Sequence, residues 1–192
     1  MKHLLAPALL ALATPAIAAP AQYTLDPTHT VVMFDVFHVG YAPTIGVFEG
    51  IEGSFTYDME TQTLSDVAVT ISADSVNTFN EARDGHVRKG DFLDVSNHPE
   101  ITFVASSGTA TSDTTGTVTG DLTILGQTHP ITLDVTLNKA DVYPFGHKSF
   151  VLGLSLTGEI ERSLYGMDYA VAGDIVGDTV KVRIETEAIK AE

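Results

Sequence analysis

The chain has 192 residues, of which 44% are apolar, and it carries 10 basic against 25 acidic side chains. Its formal charge of −15 repels phosphate backbones and anionic lipid surfaces, which argues against nucleic-acid binding and electrostatic membrane binding. The lack of cysteine excludes disulfides, thiol nucleophiles and thiolate metal sites.

The N-terminal segment has the three parts of a secretory signal peptide. Lys2 supplies a positive charge, residues 4–13 form an apolar run interrupted only by Pro7, and Ala16-Ile17-Ala18 provides a small-x-small cleavage site. The apolar run is about half the roughly 20 residues that a membrane-spanning helix needs, so no integral membrane segment is expected. We therefore expect residues 1–18 to be cleaved on export and residues 19–192 to form one domain.

Apolar and polar residues alternate along most of the mature chain. The alternation is clearest in residues 118–124, 131–138, 150–160 and 180–187. A period of two is typical of strands with one apolar face and one polar face. Turn signals separate about eight such runs, which is the pattern of an antiparallel barrel or sandwich.

One short charged helix is predicted at about residues 79–89. Thr78 and Glu81 have the spacing of a capping box, with Thr78 as the N-cap, and Gly90 can end the helix. Val87 is the only large apolar residue in its middle, and a helix this polar cannot lie in a core. We expect it to cover the barrel or to cross its mouth.

The histidines and nucleophiles show no spacing typical of a catalytic or metal site. His29 and His38 could meet near Asp26 or Asp35 to form a nitrogen and oxygen site, but separate contacts at turns and strand ends explain them more simply. The sequence contains neither a Gly-x-Ser-x-Gly elbow nor a phosphate-binding glycine loop. We expect no catalytic residue, no enzyme activity and no bound metal.

The interior of an eight-stranded barrel is either filled by side chains or holds one small ligand. Small residues of the apolar parity, such as Gly53, Ala105 and Gly120, would leave room for a lipid-like guest beside bulky neighbours. Alternation alone does not distinguish a filled interior from one that holds a ligand.

A series of ordered motifs resembles the YceI-like family of exported polyisoprenoid-binding proteins, over essentially the whole mature chain. The motifs that carry the resemblance are Tyr23-Thr24-Leu25-Asp26, His38-Val39-Gly40, Asp74-Ser75-Val76-Asn77-Thr78, Asn80-Glu81-Ala82-Arg83-Asp84-Gly85-His86-Val87-Arg88, Asp91-Phe92-Leu93-Asp94, His98-Pro99-Glu100-Ile101-Thr102-Phe103, Gly120-Asp121-Leu122-Thr123-Ile124-Leu125-Gly126 and Arg162-Ser163-Leu164-Tyr165-Gly166. Three residues depart from the family pattern: Asp35 before His38, Leu93 where an aromatic residue is frequent, and Tyr165 where Phe is common.

The resemblance implies an all-β, eight-stranded antiparallel lipocalin-like barrel in the periplasm, in many members a homodimer. Its apolar channel would hold a lipid such as a quinone tail, a polyprenyl lipid or a fatty-acyl compound, with no covalent cofactor and no nucleic acid. We expect the channel to be lined by the inward-facing residues Phe34, Ile51, Phe55, Ile71, Phe92, Phe103, Leu122, Ile124, Leu133, Leu154 and Leu156.

The polar residues of the motifs have either a structural role or contact a lipid headgroup. These residues are His29, His38, Arg83, Asp84, His86 and Arg162. We expect Arg83, Asp84 and His86 to form ion pairs that hold the helix over the barrel mouth. We expect Arg162 to meet a carboxylate or a carbonyl there, with Asp84 and Asp91 as candidates. The predicted function is a periplasmic lipid carrier. The alternatives are a metal-dependent enzyme at the end of the barrel that holds His29 and His38, and a stress-related interaction module with a filled core.

Overall fold

The computed structural model describes residues 20–192, so the predicted leader, residues 1–18, lies outside the described residues. These residues form one antiparallel sheet and a single α-helix. The strands are β1 (Ala21–Leu25), β2 (Val31–His38), β3 (Ala42–Phe48), β4 (Ile51–Asp58), β5 (Thr63–Ser72), β6 (Glu100–Ala105), β7 (Gly108–Ala110), β8 (Thr115–Ile124), β9 (Gln127–Val142), β10 (Phe150–Glu161) and β11 (Val176–Lys190).

The sheet closes into a barrel because β1 pairs with both β4 and β11. β1 and β2 follow one another along the same edge of β11, where Tyr23 lies opposite Lys190 and Val31 lies opposite Glu185. β3 and β4 continue each other in the same way, since β3 pairs with β2 and β4 pairs with β1. Because β1/β2 and β3/β4 each occupy one position in the wall, and the short β7 is only paired with β8, the barrel has eight strand positions around its circumference. The predicted eight-stranded antiparallel barrel is confirmed.

The alternation of the sequence places one face of each strand inside the barrel. On β8, Val118, Leu122 and Ile124 are at most 8% exposed, whereas Thr119 and Asp121 between them face solvent. Successive side chains of a strand point to opposite faces, so the apolar parity forms the interior. Asp35 has the outward parity of β2 and lies opposite Lys181 of β11, which accounts for a charge in this otherwise apolar run.

The helix α1 (Glu81–Val87) lies in the connection between β5 and β6. Its N-cap is Asn80 and not Thr78 as predicted, because the Asn80 side-chain oxygen accepts the backbone N–H of Arg83 at 3.0 Å. Thr78 instead bonds to a residue within the helix, as described below. Within residues 20–192, no helix is long and apolar enough to cross a membrane.

Antiparallel pairing groups the connections at two ends of the barrel. The end that we call the α1 end contains the β2–β3 hairpin, the β5–β6 connection with α1, the β8–β9 turn and the β10–β11 connection. The opposite end, called here the hairpin end, contains the connections β4–β5, β7–β8 and β9–β10. The side chains described next lie between these two ends.

Candidate ligand-binding cavity

The barrel encloses a cavity of about 670 Å³, within the range of roughly 300–1,000 Å³ that is common for small-molecule sites. The structure places every predicted channel residue on its wall. These residues are Phe34, Ile51, Phe55, Ile71, Phe92, Phe103, Leu122, Ile124, Leu133, Leu154 and Leu156. Whether they contact a ligand stays a prediction.

The interior is open, but the small residues do not provide the room. Gly53, Ala105 and Gly120 are absent from the cavity wall. A Cβ atom on Gly120 would lie 2.6 Å from the Phe103 ring and 2.5 Å from the Val104 carbonyl oxygen. These positions accommodate neighbouring groups, so the expectation that they leave space for a guest is wrong. The space lies instead between side chains of opposite walls, where inward residues keep accessible surface.

Thr78 and Asp84 form a buried polar link at the α1 end. Thr78 donates its backbone N–H at 2.6 Å and its hydroxyl at 2.5 Å to Asp84 Oδ1. The hydroxyl bond from Thr78 is the main reason that the pKa of Asp84 lies below its usual value, with Arg83 and Arg88 adding attraction. Thr78 lines the cavity, so this link fixes α1 directly beside the opening.

Arg83 is oriented by the same threonine. Its Nε donates to Thr78 Oγ1 at 2.9 Å and its Nη2 donates to the Thr78 carbonyl at 2.7 Å. Of the three residues predicted to form ion pairs, His86 lies 3.3 Å from a carboxylate oxygen of Asp91, outside the helix. Arg83 and Asp84 both bond to Thr78 instead. The sequence analysis did not identify Thr78 as the shared partner of Arg83 and Asp84, because a threonine before a helix is equally well explained as its N-cap.

Arg162 meets carbonyls, one of the two kinds of partner predicted for it, and does not meet the carboxylates of Asp84 or Asp91. Only 3% exposed, it donates to four backbone carbonyls. Those carbonyls belong to Met167, Tyr169, Val176 and Gly177, at 2.5 to 2.9 Å. Burial lowers the pKa of Arg162, and nearby Asp178 and Asp168 oppose that shift. The bonds tie the β10–β11 connection to the start of β11, so the structural role of Arg162 is explicit.

Aromatic rings surround His86 at the same opening. The ring centroids of Phe92 and Tyr169 lie 5.2 and 5.4 Å from that of His86, and both rings line the cavity. His86 Nε2 lies 3.3 Å from a carboxylate oxygen of Asp91. Nothing in the sequence indicated Tyr169 as a cavity residue, since it lies after the last motif of the family pattern, which ends at Gly166. The Arg162 guanidinium carbon lies 5.8 Å from the centre of the Phe92 ring, which extends this cluster inward.

His29 and His38 lie at opposite ends of β2 and do not meet. His38 ends β2 and lines the cavity at the α1 end, whereas His29 precedes β2 and is absent from the cavity wall. A strand rises about 3.3 Å per residue, so roughly 30 Å separates them. The proposed His29–His38 site is therefore wrong.

His29 instead forms a surface cluster with two carboxylates. Its Nδ1 lies 2.8 Å from Asp26 Oδ2 and 3.8 Å from Glu187 Oε2. The hydrogen bond to His29 is the main cause that lowers the pKa of Asp26 to about 2, and the same bond raises the pKa of His29. Asp26 also accepts the backbone N–H of Thr28 at 2.8 Å. These bonds close the turn between β1 and β2.

The hairpin end of the cavity is rich in hydroxyl groups. Its polar lining residues are Gln62, Thr109, Ser112, Asp113, Thr114, Thr115 and Thr117. Several of these groups bond within their own hairpin, as Ser112 Oγ does with Thr115 Oγ1 at 2.8 Å. The cavity therefore has an apolar centre, a hydroxyl-rich end, and a second end with arginine, histidine and aromatic side chains.

Known proteins resemble this chain in sequence and in fold. Protein YceI of Escherichia coli O17:K52:H18 is 35% identical over 146 residues, which cover 76% of this chain and 75% of that protein. The crystal structure of a Campylobacter jejuni YCEI protein matches with a TM-score of 0.74 at 28% identity, over 81% of this chain and 90% of that one.

A third structure, a polyisoprenoid binding domain from Saccharophagus degradans, shares the fold with a TM-score of 0.64 at 16% identity, over 88% of this chain and 98% of that one. The family model described as YceI-like domain matches residues 23–188, which span the barrel from β1 to β11. The chain therefore belongs to the YceI-like family.

Proposed function

We propose that this protein binds an isoprenoid or similar long-chain lipid in its barrel cavity and carries it through the periplasm. The lipid would be a quinone tail, a polyprenyl lipid or a fatty-acyl compound. The observation that carries this proposal is the cavity itself: a preformed space of about 670 Å³ with a mostly apolar wall and with its charged side chains towards the two ends.

The physical driving force would be removal of the lipid chain from water. Burial of apolar surface contributes roughly 25 cal/mol per Å², and a rigid barrel loses little conformational freedom when a guest enters. An apolar wall provides contact area but no reactive groups along most of its length. This favours binding over catalysis as the role of the cavity.

Two further observations support the proposal. The domain from Saccharophagus degradans that shares this fold is described as polyisoprenoid binding. The sequence predicts a cleaved leader over residues 1–18, and a lipid chain needs a protein container to cross an aqueous compartment between membranes. Location in the periplasm and homodimer formation stay predictions.

Native mass spectrometry of the protein purified from its host would test the proposal directly. A lipid-sized mass that is released by organic extraction is expected. A protein that carries no such mass, and that takes up neither quinones nor fatty acids after extraction, would overturn the proposal.

A pair of neighbouring substitutions provides the matched control. Val135 lines the cavity and Thr136 faces solvent on the same strand. Val135→Trp should abolish most lipid uptake because the indole fills the space, whereas Thr136→Trp should leave uptake unchanged. Equal uptake by both variants would show that lipid binds elsewhere.

A further inference from the structure

The ionisable side chains that line the cavity are distributed unequally between its two ends. His38, Arg83, His86 and Arg162 line the α1 end, and no Asp or Glu among residues 20–192 lines that end. The carboxylate on the cavity wall belongs to Asp113 at the hairpin end. The carboxylates next to this end are already in contact with other side chains, Asp84 with Thr78 and Asp91 with His86.

Arg83 presents unused hydrogen-bond donors at this opening. Its Nε and Nη2 are held by Thr78, but Nη1 makes no hydrogen bond within residues 20–192. No carboxylate of the described residues lies within ion-pair distance, 4.0 Å, of its guanidinium. Asp84 is the nearby acidic group that its charge influences, and the hydrogen bonds of Asp84 go to Thr78.

Arg88 on the same helix shows the contrast. It pairs with Asp74 at 3.0 Å, donates to the Asp74 and Val76 carbonyls, and does not line the cavity. Arg162 is also committed, because its bonds go to four backbone carbonyls. Arg83 is therefore the arginine of this opening with a free edge of its planar donor fork.

The hairpin end is unsuited to a negative group. Asp113 would repel it, and Ser112 and Thr115 already bond to one another. A ligand with one polar end and one apolar chain would thus be oriented by charge, with its polar end at the α1 end.

We infer that the polar end of the bound lipid is an oxyanion, a phosphate or a carboxylate, held by the free edge of Arg83 at the α1 end. Guanidinium groups match the geometry of both oxyanions and form charge-assisted hydrogen bonds with them. The inference rests on the proposed lipid binding and narrows its ligand to acidic single-chain lipids. Their chain would run from α1 along the barrel, and lipids with an amine at that position would be disfavoured.

Four probes with the same chain test this assignment: oleyl phosphate, oleic acid, oleyl alcohol and oleylamine. Binding to the extracted protein is measured by isothermal titration at low salt and neutral pH. Oleyl phosphate and oleic acid should bind at least about tenfold more tightly than oleyl alcohol, since charge-assisted hydrogen bonds are stronger than those to a neutral hydroxyl. Oleylamine should bind more weakly than the alcohol.

Variants assign the effect to one residue. Arg83→Gln should reduce the affinity for oleyl phosphate to about that for oleyl alcohol and leave alcohol binding unchanged, which also shows that the variant is folded. Arg83→Lys, which keeps a charge but not the fork, should restore part of the preference. Arg88→Gln is the matched control and should change neither affinity.

The outcomes separate this inference from the proposed function. Failure of all four probes, the alcohol included, would overturn lipid binding itself. Equal binding of the four probes, or a phosphate preference that survives Arg83→Gln, would overturn the inference and leave lipid binding in place.

Discussion

Thr78 and Asp84 are joined by two short hydrogen bonds to the same carboxylate oxygen, one from the backbone N–H and one from the hydroxyl. Both residues are buried, so water does not replace these bonds if the carboxylate is removed. The link joins the segment before α1 to the helix itself. The position of α1 over the cavity therefore depends on an acidic group that is ionised.

Asp84→Asn should destabilise the protein at neutral pH by about 2 kcal/mol, because both Thr78 donors would bond a neutral amide oxygen in place of a charged carboxylate. The pKa of Asp84 is lowered in the folded state, so its stabilising contribution is present above the ordinary carboxylate pKa of about 3.9 and is lost as pH falls through the lowered value. Urea unfolding at pH 7 and pH 3 should show a smaller difference between wild type and variant in acid. A difference that is equal at both pH values would contradict this account.

The contact between Asp26 and His29 should make the free energy of unfolding depend on pH, rising with pH in acid and falling with pH above neutrality. Its contribution is complete between the ordinary Asp pKa of about 3.9 and the ordinary His pKa of about 6.5. It is lost as pH falls towards about 2, where Asp26 is protonated, and as pH rises through the raised pKa of His29. Since His29 is exposed, this contribution should stay below about 1 kcal/mol.

An NMR titration of His29 measures this pair directly. Asp26→Asn should return the imidazole pKa towards about 6.5, because the hydrogen bond that raises it is removed. Glu187→Gln should shift it less, since that carboxylate lies at 3.8 Å. A His29 pKa that does not change in Asp26→Asn would show that another group is responsible.

Gly120→Ala should destabilise the barrel by about 1–3 kcal/mol, as overpacked core positions do. The new Cβ would meet the backbone carbonyl of Val104, which cannot move aside as a flexible side chain would. Gly85 is the matched control: it lies within α1 with open space around its Cβ position, so Gly85→Ala should stabilise by about 0.5–1 kcal/mol. Thermal unfolding that shows both variants unchanged would contradict the packing described here.

Tyr165→Phe should stabilise the protein by about 1 kcal/mol. The Tyr165 side chain is 1% exposed, and its hydroxyl makes no hydrogen bond within residues 20–192. A buried hydroxyl without a partner costs free energy that a phenylalanine does not incur. Chemical denaturation compares the two proteins, and a loss of stability in Tyr165→Phe would show that the hydroxyl has a partner in solution.

The barrel was predictable because strand alternation reports burial directly. Leu122 and Ile124 carry the pattern of β8 in the sequence and are buried where that pattern predicts. The strand residues of the predicted cavity wall followed from the same parity, whereas Phe92 lies in the connection between α1 and β6. The open cavity did not follow from the sequence. A glycine such as Gly120 suggests free volume, but in the fold the Phe103 ring occupies the space where its side chain would lie.

The polar contacts were less predictable, for a different reason. Thr78 and Asn80 are both good N-cap residues, and only the backbone conformation shows which one caps α1. The partners of Arg162 are backbone carbonyls, which every residue has, so no side chain indicates them in the sequence. A carbonyl was one of the two kinds of partner predicted for Arg162, but the sequence allowed individual residues to be named only for the carboxylates, and Asp84 and Asp91 were wrong.

The four carbonyls that converge on Arg162 also constrain how the α1 end can open. Met167 and Tyr169 belong to the β10–β11 connection, whereas Val176 and Gly177 belong to β11. The guanidinium of Arg162 therefore joins the two segments non-covalently. Partial opening would leave a buried charge with fewer acceptors, which is more costly than either the closed or the fully released arrangement. We therefore expect this connection to open in one cooperative transition of the whole segment.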